Sequence, residues 1–190
     1  MSSSLTIADV ARTLAAYEAR YGPPSGHVDV LRLAVAAAKP LTARTDLPVH
    51  VTSGAVPRRA DGRLLQVRHR ILGTWLFPGG HLEPDDASLA AAAQRELAEE
   101  TGLTGAVDES AGLPVPVDID VHVIPPNPTK GEPEHYHADF RFLLAVDDAA
   151  AVELQADEVS DWRWVEPTET PNQGLAPRLH ALHPVDDDDR

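Results

Sequence analysis

Between Gly79 and Leu103 the chain reads GGHLEPDDASLAAAAQRELAEETGL, and no other stretch restricts its fold so tightly. A glycine pair closes a short apolar run, a loop follows, and an alanine-rich helix continues to Gly102, which supplies a left-handed C-terminal position. Asp85 or Asp86 is placed to start that helix as its N-cap. Spacings of three and four put Glu96, Glu99 and Glu100 on one helix face, within an arc of about 100°. On an ordinary surface this is unfavourable, because Glu96 and Glu100 repel at i,i+4 and all three lie near the negative end of the helix dipole. Arg95 is the only cation of the stretch, so the turn stays net negative. Three glutamates alone read first as a solvated helix end. A hard divalent cation with oxygen ligands, Mg²⁺ or Mn²⁺, relieves the repulsion and is then poised to hold phosphate oxygens.

The rest of the chain surrounds this helix with strands. Leu5 to Tyr21 carries Leu5, Val10, Leu14 and Tyr17 at helical spacing, with Ser4 as cap and Gly22-Pro23-Pro24 as stop. HVDVLRLAVAAAK predicts a second helix ending near Lys39-Pro40, so the first residues form a helical hairpin. That region, net +2 over 45 residues against −16 for the remainder, reads as a separate N-terminal element. Val49 to Val56 and Arg63 to His69 predict a β-hairpin about Asp61-Gly62, and Thr74 to Gly80 a short strand broken by Pro-Gly-Gly. Val117 to Ile124, His135 to Val146 and Val159 to Val165 predict three more strands, and Leu175 to His183 a last short helix. The pattern implies an α/β fold: a mixed sheet covered by helices on both faces, an α/β/α sandwich with an N-terminal helical hairpin. The expected organisation is a helical extension over 1–44, one domain over 45–185 and a frayed acidic tail over 186–190.

The stretch resembles the Nudix box, whose pattern is Gly, five residues, Glu, seven residues, then Arg-Glu-aliphatic-x-Glu-Glu-x-Gly-aliphatic. Arg95, Glu96, Leu97, Glu99, Glu100, Gly102 and Leu103 match its second half in full. The first half departs: one extra residue separates Gly80 from Arg95, and Ala87 stands where the first Glu belongs, with Asp86 just before it. Asp86 either takes over that acid's role through a bulged loop or serves as the helix N-cap, and a lone Asp there reads first as the cap. The strand and helix order from about Thr45 to Pro167 also resembles the Nudix fold.

The resemblance implies that Glu96, Glu99 and Glu100 are metal ligands, that Arg95 orients them, and that Gly80 lends its backbone carbonyl. It implies a metal-dependent hydrolase in which water attacks phosphorus of a diphosphate linkage in a nucleoside triphosphate or nucleoside diphosphate derivative. The resemblance also implies a general base that varies between enzymes: a box glutamate, here Glu99 or Glu100, or an acid on a downstream loop, for which Glu132 and Glu134 are the nearest candidates.

Five arginines between Arg58 and Arg70 make that stretch basic, and Arg68 and Arg70, sharing a strand face, are candidates to clamp phosphates. They equally suit pairing with the surplus surface acids. His81 follows the glycine pair, and His135, His137 and Asp139 share one strand face with Arg141, which makes His81, His137 and Asp139 candidates for substrate contact. Trp75, Trp162 and Trp164 are assigned to core or rim packing.

Composition narrows the partners. With 16 Lys+Arg against 30 Asp+Glu the chain carries −14, which disfavours nucleic acid and anionic membranes and leaves small ligands and cations. No cysteine is present, so thiolate chemistry and disulfides are excluded. No signal pattern or apolar run of about 20 residues is found, and the cytoplasm is the default location. Two other readings compete. Isopentenyl diphosphate isomerases resemble this scaffold, with Cys-Gly-His where this chain has Gly79-Gly80-His81; the missing cysteine and the complete Arg-Glu-Leu-x-Glu-Glu argue against that chemistry. A non-catalytic nucleotide-binding module is the other, and the retained acids argue against it. The N-terminal hairpin is free to lid the site, pack on the sheet or build a homodimer interface.

Overall fold

The computed structural model describes residues 5–107, 113–170 and 174–182. Its elements are α1 (Ile7–Tyr21), β1 (Ser25–Gly26), α2 (Val28–Ala36), β2 (Val49–Arg58), β3 (Leu64–His69), β4 (Trp75–Leu76), β5 (Gly79–His81), α3 (Leu89–Thr101), β6 (Gly105–Val107), β7 (Asp118–Ile124), β8 (His135–Val146), β9 (Val159–Val165) and α4 (Leu175–Leu182). The main sheet path is β1-β7-β8-β2-β3-β4, while β5 pairs with β2, β6 with β8 and β9 with β3. The centre, β2 beside β8, is parallel over ten registered pairs from Val49↔Tyr136 to Arg58↔Ala145; β7 and β8 run antiparallel. The sheet is therefore mixed and open. β2 is buried at every position from Val49 to Pro57, which alternation allows only if both its faces are covered.

Thr6 and Asp9 form a capping box that starts α1, whose inner face is Val10, Thr13, Leu14 and Tyr17. Val10, Leu14 and Tyr17 join Leu31, Leu41, Val49, Val51, Ile119, Phe140 and Leu97 in one core cluster. The N-terminal helices thus pack into the same interior as the sheet. Their connector also adds a strand, β1, which lies parallel to β7 at the sheet edge. A Cβ on Gly26 would stand 2.1 Å from the Val121 carbonyl oxygen, so glycine is required at this approach.

The β2–β3 hairpin, the three long downstream strands and the last helix stand where the sequence pattern predicts them. Two short strands, β1 and β6, are too brief to show a period of their own. The second helix stops at Ala36 in a turn at Ala37 and Ala38, short of Lys39. The main correction concerns α3. Its N-cap is Ser88, whose hydroxyl accepts from Ala91 N at 3.0 Å, and not Asp85 or Asp86. Asp86 is unavailable because its carboxylate holds Glu83 N at 2.7 Å and the Arg95 guanidinium. At its other end the helix closes on Gly102 at φ +70° as expected. Ser4 and the acidic tail 186–190 lie outside the described residues. Among the described residues no helix is long and apolar enough to cross a membrane.

Candidate active site

Close packing of β5 between β2 and α3 builds the site. β5 pairs antiparallel with β2 through Ser53↔Gly80 and Gly54↔Gly79. A Cβ on Gly79 would lie 2.7 Å from Gly54 Cα, and one on Gly80 would lie 2.5 Å from Glu96 Oε1. The glycine pair therefore brings backbone directly against a carboxylate. Gly79 N donates to Glu100 Oε1 at 3.0 Å, and Ser53 Oγ donates to Leu89 O at 2.7 Å, fixing the helix to the sheet. Glu96 and Glu100 are buried, while the Glu99 side chain is 49% exposed.

One guanidinium organises the acids. Arg95 Nε and Nη2 donate to Asp86 Oδ1 and Oδ2 at 3.1 Å each, Nη2 also donates to the His81 carbonyl at 3.0 Å, and Nη1 donates to Glu96 and Glu99 at 2.9 Å each. Asp86 thus binds the arginine through two parallel bonds, with Glu83 at 3.9 Å from the same guanidinium. With its donors distributed in this way, Arg95 orients the acids and leaves the group net negative.

Burial makes that negative charge costly. It pushes the Glu96 carboxyl up to about 7; Arg95 opposes this, and the charges of Glu99 and Glu158 add to it. Glu100 is likewise pushed up to about 7, first by burial, against the Gly79 N–H and with help from Glu96, Glu158 and Glu99. Glu158, whose charge reaches both carboxyls, is an acid that sequence reasoning missed. The segment before β9 docks on the end of α3, with Gln155 N donating to Glu100 O and Glu153 N to Thr101 O, and this brings Glu158 into the field of the box acids. No spacing links Glu158 to the box; only the tertiary fold does. Buried carboxylate oxygens beside an exposed backbone approach, with no nitrogen or sulfur donor in the set, suit a hard divalent cation.

The remaining candidates divide. Arg68 is exposed and its Nε donates to Gly73 O at 3.4 Å; Arg70 N donates to the Glu158 carbonyl at 2.8 Å, placing Arg70 next to the missed acid. Among the described residues neither arginine forms an ion pair with the box acids. Asp139 has both oxygens engaged, Oδ2 with Arg141 Nε at 2.8 Å and Oδ1 with Thr52 Oγ1 at 3.3 Å, inside a network that includes Asp118 and Arg178. Glu132 lies on Arg44 at 2.5 Å, which holds its carboxyl below the usual range. His81 and His137 meet at 5.1 Å between ring centroids, and His50, absent from the sequence candidates, packs on both at 5.2 and 4.6 Å. Burial lowers His81 to about 4 and His137 to about 3, neighbouring histidines adding to the effect, so these rings are neutral near pH 7. Trp75 and Trp164 serve as stacking faces for Arg163 and Arg59, at 4.3 and 4.1 Å.

Residues 48–184 match the family model of the NUDIX domain. The chain belongs to the Nudix family. A MutT-like protein of Streptomyces ambofaciens is 47% identical over 70 residues, 36% of this chain and 45% of that protein. An RNA pyrophosphohydrolase of Erythrobacter litoralis is 33% identical over 135 residues, 66% of this chain and 81% of the relative. The chain thus spans less than half the length of the Streptomyces relative. Among solved structures, an Ap4A hydrolase binary complex from C. elegans aligns with a TM-score of 0.52 at 19% identity, over 70% of this chain and 96% of the other, a likeness of fold. The Nudix match begins after α1, β1 and α2.

Proposed function

We propose that this Nudix chain is a Mg²⁺- or Mn²⁺-dependent hydrolase cleaving a diphosphate linkage in a nucleoside triphosphate or another nucleoside diphosphate derivative. The observation that carries the reading is the convergence of Glu96 and Glu100 on the Gly79-Gly80 backbone, with Glu99 tied to the same arginine. Glu96, Glu99, Glu100 and the Gly80 carbonyl would hold the cation. When bound, the cation supplies charge neutralisation for phosphate oxygens and acidifies an attacking water.

The chain's own groups do the rest. Arg95 fixes Glu96 and Glu99, and the Gly79 N–H fixes Glu100. Glu99, the most exposed box acid, or Glu158, on the docked segment, accepts the proton of the attacking water. Arg68, Arg70 and His81 are the substrate-side candidates, while His137 groups with His50 and the contacts of Asp139 favour a scaffold role. A cleft of about 480 Å³ lies between Leu5, Thr42–Thr45 and Leu82–Pro84, joining the N-terminal segment to the loop after His81. Its size suits a nucleoside-sized group, and it would receive the non-reacting part of the substrate. The name of the Erythrobacter relative agrees with the reaction class, while a net charge of −14 favours small substrates over RNA.

A screen of phosphate release and products over nucleoside triphosphates, nucleotide sugars and dinucleoside polyphosphates, with Mg²⁺, Mn²⁺ or EDTA, tests the proposal. Metal-dependent cleavage of one class is the expected result. No turnover across the panel, with cation binding confirmed by titration, would overturn it in favour of isomerase or sensing roles.

A further inference from the structure

A second cluster of ligating side chains lies outside the glutamate centre. His50 opens β2, His135 and His137 open β8, and His50 and His137 are direct neighbours across the parallel pair. Alternation turns His135 and His137 to one face, so three imidazoles stand at the same end of the two central strands. One ring nitrogen from each lies within 4.8 Å of the other two. His135 Nε2 and His137 Nε2 are 3.3 Å apart, and two nitrogens on a tetrahedral Zn²⁺ at 2.0–2.1 Å are separated by about 3.3 Å.

The tautomers are legible from the backbone. His50 Nδ1 faces Asp46 O at 3.2 Å, and His135 Nδ1 faces Pro133 O at 2.8 Å. A carbonyl oxygen can only accept, so both Nδ1 atoms carry the proton and both Nε2 atoms carry a lone pair, the pattern by which outer carbonyls orient metal-binding histidines. His50 is 1% exposed and its Nε2 has no hydrogen-bond partner. Native interiors rarely leave such an acceptor unpaired. The His81 ring closes the cluster, 5.2 Å from His50 and 5.1 Å from His137.

We propose that His50, His135 and His137 bind a borderline-soft divalent cation of the Zn²⁺, Co²⁺ or Ni²⁺ type, at a site separate from the glutamate centre, tying together the first residues of the two central strands. The donor set is all nitrogen, whereas the glutamate centre is all oxygen, so the two centres sort cations by ligand chemistry. The competing account is a bare imidazole pair, with His137 Nε2–H donating to His135 Nε2.

Chelator-stripped full-length protein titrated with Co²⁺ alone distinguishes the two. The expected result is about one equivalent giving the strong visible bands of four-coordinate, nitrogen-ligated Co²⁺. The bands persist in a Glu99→Gln/Glu100→Gln variant and are displaced by Zn²⁺. His50→Gln and His135→Gln, each checked for folding by circular dichroism, should weaken the affinity by about tenfold or more. Should His50→Gln fail to fold, His135→Gln and the wild-type spectrum still decide. Only the weak spectrum of six-coordinate, oxygen-ligated Co²⁺, or strong bands surviving both histidine substitutions, would overturn the site.

Discussion

The glutamate centre and the histidine cluster flank the same three residues, Gly79 to His81, yet burial acts on them with opposite sign. Glu96 and Glu100 press on the glycine backbone and are pushed up to about 7, towards a neutral acid. His81 and His137 are pushed down to about 4 and about 3, towards a neutral base. Desolvation disfavours charge in both, but the outcome for a cation differs. The carboxylates must shed protons to ligate, whereas the imidazoles already stand in their ligating form at pH 7.

The comparison breaks most visibly in turnover. Glu100→Gln keeps an acceptor for Gly79 N but removes a negative charge from the proposed cation site, and should lower kcat by about two orders of magnitude, read by product release under saturating Mg²⁺. Next in size is Gly80→Ala. The added Cβ meets Glu96 Oε1 at 2.5 Å, so Glu96 must swing away, and activity should fall by about tenfold to a hundredfold with the fold retained. Asp86→Ala strips Arg95 of its bidentate partner; a loss of about 2–3 kcal/mol by denaturant unfolding is expected, with a smaller effect on kcat than Glu100→Gln.

The smallest effect sharpens the contrast through pH. In the chelated protein, a carboxyl whose folded pKa is raised contributes stability that is present below about 4.5 and lost as pH rises through about 7. Glu100→Gln should therefore raise Tm at pH 8 and leave it unchanged at pH 4.5. A histidine whose folded pKa is depressed contributes stability that is present above about 6.5 and lost as pH falls towards about 3. His137→Gln should flatten that acid limb and leave the alkaline limb alone. A variant that changed the opposite limb would contradict the assignment.

The two regions also differ in how far the sequence revealed them. The glutamate centre is local: Arg95, Glu96, Glu99 and Glu100 fall within two turns of one helix, and helical period alone aligns them. The role of Asp86 was open, because an acid before a helix serves equally as cap or as partner, and only the presence of Ser88 two residues on decides it. Glu158 and His50 could not be read at all. Each reaches its place through pairing between distant segments, β2 with β8 in one case and the segment before β9 with the end of α3 in the other. The long strands were legible from alternation, while β1 and β6 exist only because a neighbouring edge pairs with them.

The claim that the hard cation acts at the glutamate centre and not at the histidines is tested most directly by Mn²⁺ titration, followed by electron paramagnetic resonance, of wild type, Glu100→Gln and His50→Gln. Mn²⁺ affinity should be kept in His50→Gln and weakened by about tenfold or more in Glu100→Gln. Unchanged binding in Glu100→Gln, or its loss in His50→Gln, would contradict the account.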